Sequence, residues 1–235
     1  LTFGATNVAG GSSVNATIDL AVTNQDEQTW TLTSPNPSVV SVPANLVIPA
    51  THATGTFAMN ISAVTLNTNV TINVRHNGFI AQRVLTVVPS VIQSVAIAPQ
   101  VVVGGVNTTA NLTLSGTAPA GGRTVTLTSN KPTVASVPAS VNILEGQSTL
   151  GVTVTTFGVN SNQGVVITAT TGAVSKTAFF AVNAPALASI TIAPGSIQGG
   201  TPATLTLNIS GVAPTGGFSI VLISGAPAVV FLSAS

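Results

Sequence analysis

The chain has no cysteine and no tyrosine, one tryptophan, one methionine and very little charge. Without cysteine there are no disulfides, no thiolate metal sites and no cysteine nucleophile, though no compartment is ruled out. Charged residues make up 4% of the 235 residues, against about 25% in an ordinary soluble domain. The five cations, Arg75, Arg83, Arg123, Lys131 and Lys176, are scattered, and the formal net charge is +1. Nucleic-acid binding needs a clustered cationic footprint, so a nucleic-acid partner is excluded. No apolar stretch approaches the ~18 residues of a spanning helix, because Thr, Ser, Asn or a Gly-Gly pair interrupts every run. Membrane insertion is therefore not expected. Nor does any segment carry the 3.6-residue apolar stripe of an amphipathic helix.

Apolar residues make up 45% of the chain, enough for a packed core. The surface must then be covered by Thr, Ser, Asn, Gln and Gly. Abundant β-branched residues and scarce charge are the reverse of a disordered composition.

Internal repeats decide the organisation. Pro132-Thr-Val-Ala-Ser-Val-Pro-Ala-Ser140 restates Pro37-Ser-Val-Val-Ser-Val-Pro-Ala-Asn45 at an offset of 95. Gly116-Thr-Ala-Pro-Ala-Gly-Gly122 returns as Gly211-Val-Ala-Pro-Thr-Gly-Gly217, again 95 residues on. The pairs Gly10-Gly11, Gly104-Gly105 and Gly199-Gly200 lie 94 and 95 apart. The chain thus reads as about two and a half copies of one unit: repeat 1 over 1–91, repeat 2 over 92–186, and a partial repeat 3 over 187–235.

Within each copy the apolar period is two, the mark of half-buried strands. Ala110, Leu112 and Leu114 alternate with polar residues, matched by Ala16, Ile18 and Leu20 and by Leu205, Leu207 and Ile209. Val125 and Leu127 correspond to Trp30 and Leu32, and to Ile220 and Leu222, on a further predicted strand. Later runs carry Phe57, Met59 and Ile61, then Val70, Ile72 and Val74, then Leu85 and Val87. Val, Ile and Thr suit a pleated surface, and Asn77-Gly78 between two such runs signals a two-residue hairpin. Seven short strands in about 95 residues predict an all-β fold, a Greek-key sandwich repeated in tandem.

The pattern resembles the bacterial immunoglobulin-like (Big-type) repeats of long surface and secreted proteins. The resemblance rests on Val95-x-Ile97-x-Pro99, the Gly-Gly pair, Leu112-x-Leu114-Ser-Gly116, Ala118-Pro-Ala-Gly-Gly122, Val125-x-Leu127-x-Ser129 and Val134-Ala-Ser-Val-Pro138, and covers essentially the whole chain. It implies an immunoglobulin-like module acting as a stalk, spacer, adhesin part or filament component. Repeat 1 departs from it at Thr23-Asn-Gln-Asp-Glu-Gln28, which replaces the Ala-Pro-Ala-Gly-Gly turn.

Chemistry-bearing residues are few. A nucleophilic triad needs a base, and only His52 and His76 are available; neither recurs in repeat 2. Asp26-Glu27 is the one acidic cluster among Asp19, Asp26, Glu27 and Glu145. Calcium wants more oxygen ligands than two adjacent acids supply, so a solvated loop is expected. Trp30 falls in an inward phase and is expected in the core, the alternative being a sugar-stacking platform. Lys176 is the remaining candidate for a Lys–Asn cross-link. No enzyme activity, cofactor or metal is expected. Six Asn-x-Ser/Thr sequons, at Asn15, Asn60, Asn69, Asn107, Asn111 and Asn208, are possible glycan acceptors on an exported chain.

Sheet proteins usually guard their edges with lysine, inward charge or proline, and this chain has two lysines, Lys131 and Lys176. Long unguarded edges and a net charge near zero point to self-association. Leu1 aligns with Val95 and Ser235 with Ser140, so both end copies are incomplete. A half-sandwich would expose Ile192, Leu205, Leu207, Ile220 and Leu222. We expect either that the chain continues or that another chain donates the missing strands, as in strand-addition assembly. The expected role is an extracellular or cell-surface structural protein that forms or decorates a filament, sheath or layer, with other copies of the chain as partners and glycans as candidate partners. The alternatives are the stalk of a large adhesin or spacer modules of a secreted polysaccharide-active enzyme.

Overall fold

The computed structural model describes residues 1–226, which form strands, turns and loops without a helix. Residues 227–235 lie outside the described residues. No helix among them is long and apolar enough to cross a membrane.

Repeat 1 comprises β1 (Thr2–Phe3), β2 (Asn7–Ala9), β3 (Ser13–Asp19), β4 (Gln28–Thr33), β5 (Val40–Ser41), β6 (Asn45–Ile48), β7 (Thr54–Ile61), β8 (Thr68–His76) and β9 (Phe79–Val88). Repeat 2 follows with β10 (Ile92–Ala98), β11 (Val101–Val103), β12 (Thr108–Leu114), β13 (Arg123–Ser129), β14 (Ala135–Ser136), β15 (Ser140–Ile143), β16 (Thr149–Thr156), β17 (Gln163–Thr171) and β18 (Val174–Asn183). Repeat 3 shows β19 (Leu187–Ala193) and β20 (Thr204–Ile209).

Repeat 1 stacks a sheet of order β1-β3-β7-β5 on one of order β2-β9-β8-β4-β6, and repeat 2 stacks β10-β12-β16-β14 on β11-β18-β17-β13-β15. This is the immunoglobulin-like Greek key. The seven expected strands become nine segments. The first strand breaks and changes sheet, pairing antiparallel with β3 or β12 and then parallel with β9 or β18. Two short segments, β5 and β6 or β14 and β15, follow the third long run.

The period-two residues are the core. Ala16, Ile18, Trp30, Leu32, Phe57, Met59, Val70, Ile72, Val74, Leu85 and Val87 form one buried cluster. Ala110, Leu112, Leu114, Val125, Leu127, Val152 and Val154 belong to the other. Asn77 and Gly78 both take positive φ, 46° and 83°, as a type I′ hairpin turn requires.

The two cores conserve volume by different residues. Trp30 stands where repeat 2 has Val125, and Leu46 where it has Val141; Gly55 replaces Leu150. A Cβ on Gly55 would lie 2.7 Å from Ile48 Cγ1 and 3.0 Å from Leu46 Cδ2. The room released at Gly55 is thus occupied by its larger neighbours, the compensated swap that a close-packed core tolerates.

Two expectations fail. The strand predicted through Ile220 and Leu222 does not form. Its counterparts β4 and β13 hydrogen-bond β6 and β8, or β15 and β17, and this sequence holds no repeat 3 counterpart of those partners. Without them the backbone has no ladder to join. Ile192 and Leu222 are exposed and Leu205, Leu207 and Ile220 half-buried, so the β19–β20 ribbon buries no core of its own. The second failure concerns the edges. In repeats 1 and 2 the edge strands β1, β2, β5, β6, β11, β14 and β15 are two to four residues long, and only β10 reaches seven. Shortness guards these edges where charge does not.

Candidate functional site

The arrangement that recurs between repeats is a glycine joint. Three residues, Pro89–Val91, connect β9 to β10, and three, 184–186, connect β18 to β19. In each case a serine of the following repeat ties the linker down. Ser115 N–H donates to Val91 O at 2.8 Å, and Val91 N–H donates to Ser115 Oγ at 3.1 Å. Ser210 does the same with Ala186, at 2.9 and 3.0 Å.

The residue after that serine is Gly116 or Gly211. Gly116 lies against the Gly10 carbonyl with no room for a Cβ, and a Cβ there would also come 3.3 Å from Ala9 Cβ. Gly10 is itself pinned, donating to Val88 O at 2.9 Å, with Ala63 Cα 2.6 Å from any Cβ it might carry. Gly11, at φ 83°, packs its Cα on Thr117. At the next junction Gly104 and Gly105 meet Gly211 and Val212 in the same way, and Val212 N–H donates to Gly104 O at 3.0 Å. Backbone approaches this close require residues without side chains.

Sequence reasoning missed this joint. The Gly-Gly pair and Ser115-Gly116 stand out in the sequence only as recurring motif pieces, whereas they are two halves of one contact between repeats. One signal could have found it. Repeat 1 has no upstream repeat in this sequence, and there Ala21-Val22 replace Ser115-Gly116.

The predicted candidates do not converge. His52 lies in a surface turn, with Nδ1 3.0 Å from Ala50 O. His76 closes the end of β8, with Nδ1 2.9 Å from Thr29 O and Nε2 accepting from Asn77 Nδ2 at 3.0 Å. Asp26 and Glu27 are exposed. Among the described residues no three His, Cys, Asp or Glu side chains come together to hold a metal. Lys176 is exposed, on β18 opposite Ala169. Trp30 is buried at 5% exposure, as its phase predicts. Its ring stacks on His76 at 4.9 Å and meets the Phe79 ring edge-on at 6.0 Å. Asn15, Asn60, Asn69, Asn107, Asn111 and Asn208 are all exposed. Three of them hold polar neighbours: Asn69 accepts from Thr86 Oγ1, Asn107 accepts from Thr156 N, and Asn208 donates to Ser189 Oγ.

The departing loop of repeat 1 restores the backbone bonds of the turn it replaces. Thr51 N–H donates to Asn24 O at 2.9 Å, and Asn24 N–H to His52 O at 3.4 Å. These repeat the bonds from Gly146 to Ala118 and from Ala118 to Gln147. Thr51 consequently adopts φ 67°, where repeat 2 has Gly146 at 76°.

No protein-family model matches the chain, and no curated protein sequence does. Several solved structures do. FdeC, an Escherichia coli adhesin, aligns at 16% identity over 89% of this chain and 72% of that chain, with a TM-score of 0.34. Invasin, a bacterial integrin-binding protein, aligns at 16% identity over 91% and 49%, with a TM-score of 0.39. Domains 4–9 of the surface layer protein SbsC align at 20% identity over 83% and 29%, with a TM-score of 0.32. The chain thus spans about half the length of the invasin chain and under a third of the surface-layer fragment. Its own sheet order, core phase and repeat length make the chain a tandem array of immunoglobulin-like sandwiches.

Proposed function

We propose that the chain is an extracellular structural repeat protein that forms or decorates a cell-surface filament, sheath or layer. The glycine joint carries this reading: the same parts recur at both junctions, so each repeat is seated on the next in one orientation. A three-residue linker and a backbone-to-backbone seat suit an array that holds its shape under load. The nearly uncharged surface supports association with other copies, because it lacks the repulsion that keeps soluble proteins apart. The six exposed sequons are offered as glycan acceptors in this reading. The protein works without a cofactor and without chemistry on a substrate.

The short edge strands favour a second reading, a stalk that carries an adhesive domain. A rod with guarded edges separates a binding domain from the cell without bundling with its neighbours.

Electron microscopy of source cells labelled with antibody against this chain, with intact mass on the extracted protein, tests both. Label along regular filaments, sheaths or lattices supports assembly. Label on isolated rods supports the stalk, and label confined to the cytoplasm overturns both.

A further inference from the structure

The long edge strand β10 is the exception among the guarded edges of repeats 1 and 2. It ends the four-stranded sheet of repeat 2 and pairs with β12 alone. Among the described residues no backbone group from Gln93 to Ala98 bonds to a turn, a loop or any other strand. Gln93, Ser94, Ala96 and Ala98 are exposed although repeat 1 is seated ahead of them. Such an edge presents a row of unpaired donors and acceptors. The chemical guards are missing too, since Ile92–Ala98 holds no charge and no proline. A bulge lies between Ile92 and Ser94, but Ser94–Ala98 keeps an unbroken register with β12. β19 repeats the length, the bulge and the absence of charge.

A second observation shows what matches this edge. Ile97 is buried and Val95 half-buried, facing the core, while Ser94, Ala96 and Ala98 face outward. Directly opposed residues of an antiparallel pair lie on one face of the sheet, so a partner strand must share this phase. The strand matches itself. With a two-fold axis at Ala96, Ala96 opposes its own copy, Val95 opposes the copy's Ile97, and Ser94 opposes the copy's Ala98. β-branched residues then meet on the inner face and small ones on the outer face, with no like charges opposed.

We propose that β10 is a homotypic pairing edge, and that its occupant is β10 of a second copy of this chain. The pairing joins two four-stranded sheets into one continuous sheet. It is isologous, so both chains use the same residues. The proposal rests on the assembly reading and names the strand through which copies meet.

Because the chain has no cysteine, one introduced thiol reports contact between copies. Ala96→Cys in the full chain sets two thiols across the two-fold, at the ~4.4–6.8 Å Cα separation that a disulfide spans. Thr126→Cys, exposed on the other sheet, is the control. Under mild oxidation the Ala96→Cys chain should form disulfide dimers at least about tenfold faster than the control, because pairing holds its thiols together. Amide exchange within 94–98 of the parent should slow as its concentration rises. Ala96→Lys opposes like charges at the two-fold and should raise the dimer Kd about fivefold. Equal cross-linking at the two sites in a chain that still associates overturns the proposal and leaves the assembly reading standing. A chain that stays monomeric at millimolar concentration overturns the proposal and removes the support that the uncharged surface gives to assembly. Preferential Ala96→Cys dimers with concentration-dependent protection of 94–98 confirm the edge, whether or not the lysine variant folds.

Discussion

Replacing Gly116 by valine tests the joint without disturbing the repeat that bears it. Repeat 1 already has valine at this position, and Val22 there is 75% exposed, so the turn itself admits the side chain. The φ of Gly116 is not positive, so valine meets no backbone strain. The obstacle is the Gly10 carbonyl of the neighbouring repeat, and Gly10 is held in place by its N–H, which donates to Val88 O, and by the adjacent Ala63. Were the sandwich to absorb the clash, overpacking would cost ~1–3 kcal/mol. At ~4–8 °C per kcal/mol for a domain of this size, that is a drop of roughly 4–24 °C in Tm. The joint rests on a few backbone contacts and yields first. We therefore expect Tm to fall by less than about 4 °C, while the repeats lose their fixed orientation. Small-angle scattering of the full chain should show a broader distance distribution, and limited proteolysis should open within Pro89–Val91. Unchanged scattering together with a large loss of Tm would refute the reasoning, since the strain would then sit inside the sandwich.

Further outcomes follow from single residues. Thr51→Gly relieves a left-handed β-branched residue and should stabilise repeat 1 by about 1 kcal/mol, read as a higher denaturant midpoint of Trp30 emission. Leu112→Ala, at a fully buried site, should destabilise repeat 2 by ~2–5 kcal/mol and leave the Trp30 transition in place. Phe179 is 62% exposed yet its ring covers Gly164 across the strands, 2.7 Å from where a Cβ would sit. Phe179→Ala should cost ~0.2–1 kcal/mol, measured by chemical denaturation. Glycopeptide mass spectrometry of source material should find sugar on one or more of the six exposed sequons; bare asparagine at all six would remove glycans from the proposed function.

The local pattern foretold the sandwiches because alternation along a strand is a local property. Once Ala110, Leu112 and Leu114 face one way, Asn111 and Thr113 must face the other, and Asn77-Gly78 can hardly be anything but a tight turn. The inward place of Trp30 came from the same count. The repeat offset was likewise read without reference to any contact. What lay beyond the sequence depends on which strand ends and turns meet in space. Gly10 and Gly116 are 106 residues apart in the sequence, and nothing in either segment says that one carbonyl rests on the other Cα. The short edges β1, β2 and β11 arise where the first strand changes sheet, a choice made by the packed layers and not by its own residues. The failed strand at Ile220 and Leu222 makes the same point: a correct apolar alternation remains loop when no partner strand offers its hydrogen bonds. Periodicity specified each strand's faces, and tertiary structure decided its neighbours, because side-chain phase is set within a few residues whereas pairing and docking require two distant segments to be brought together.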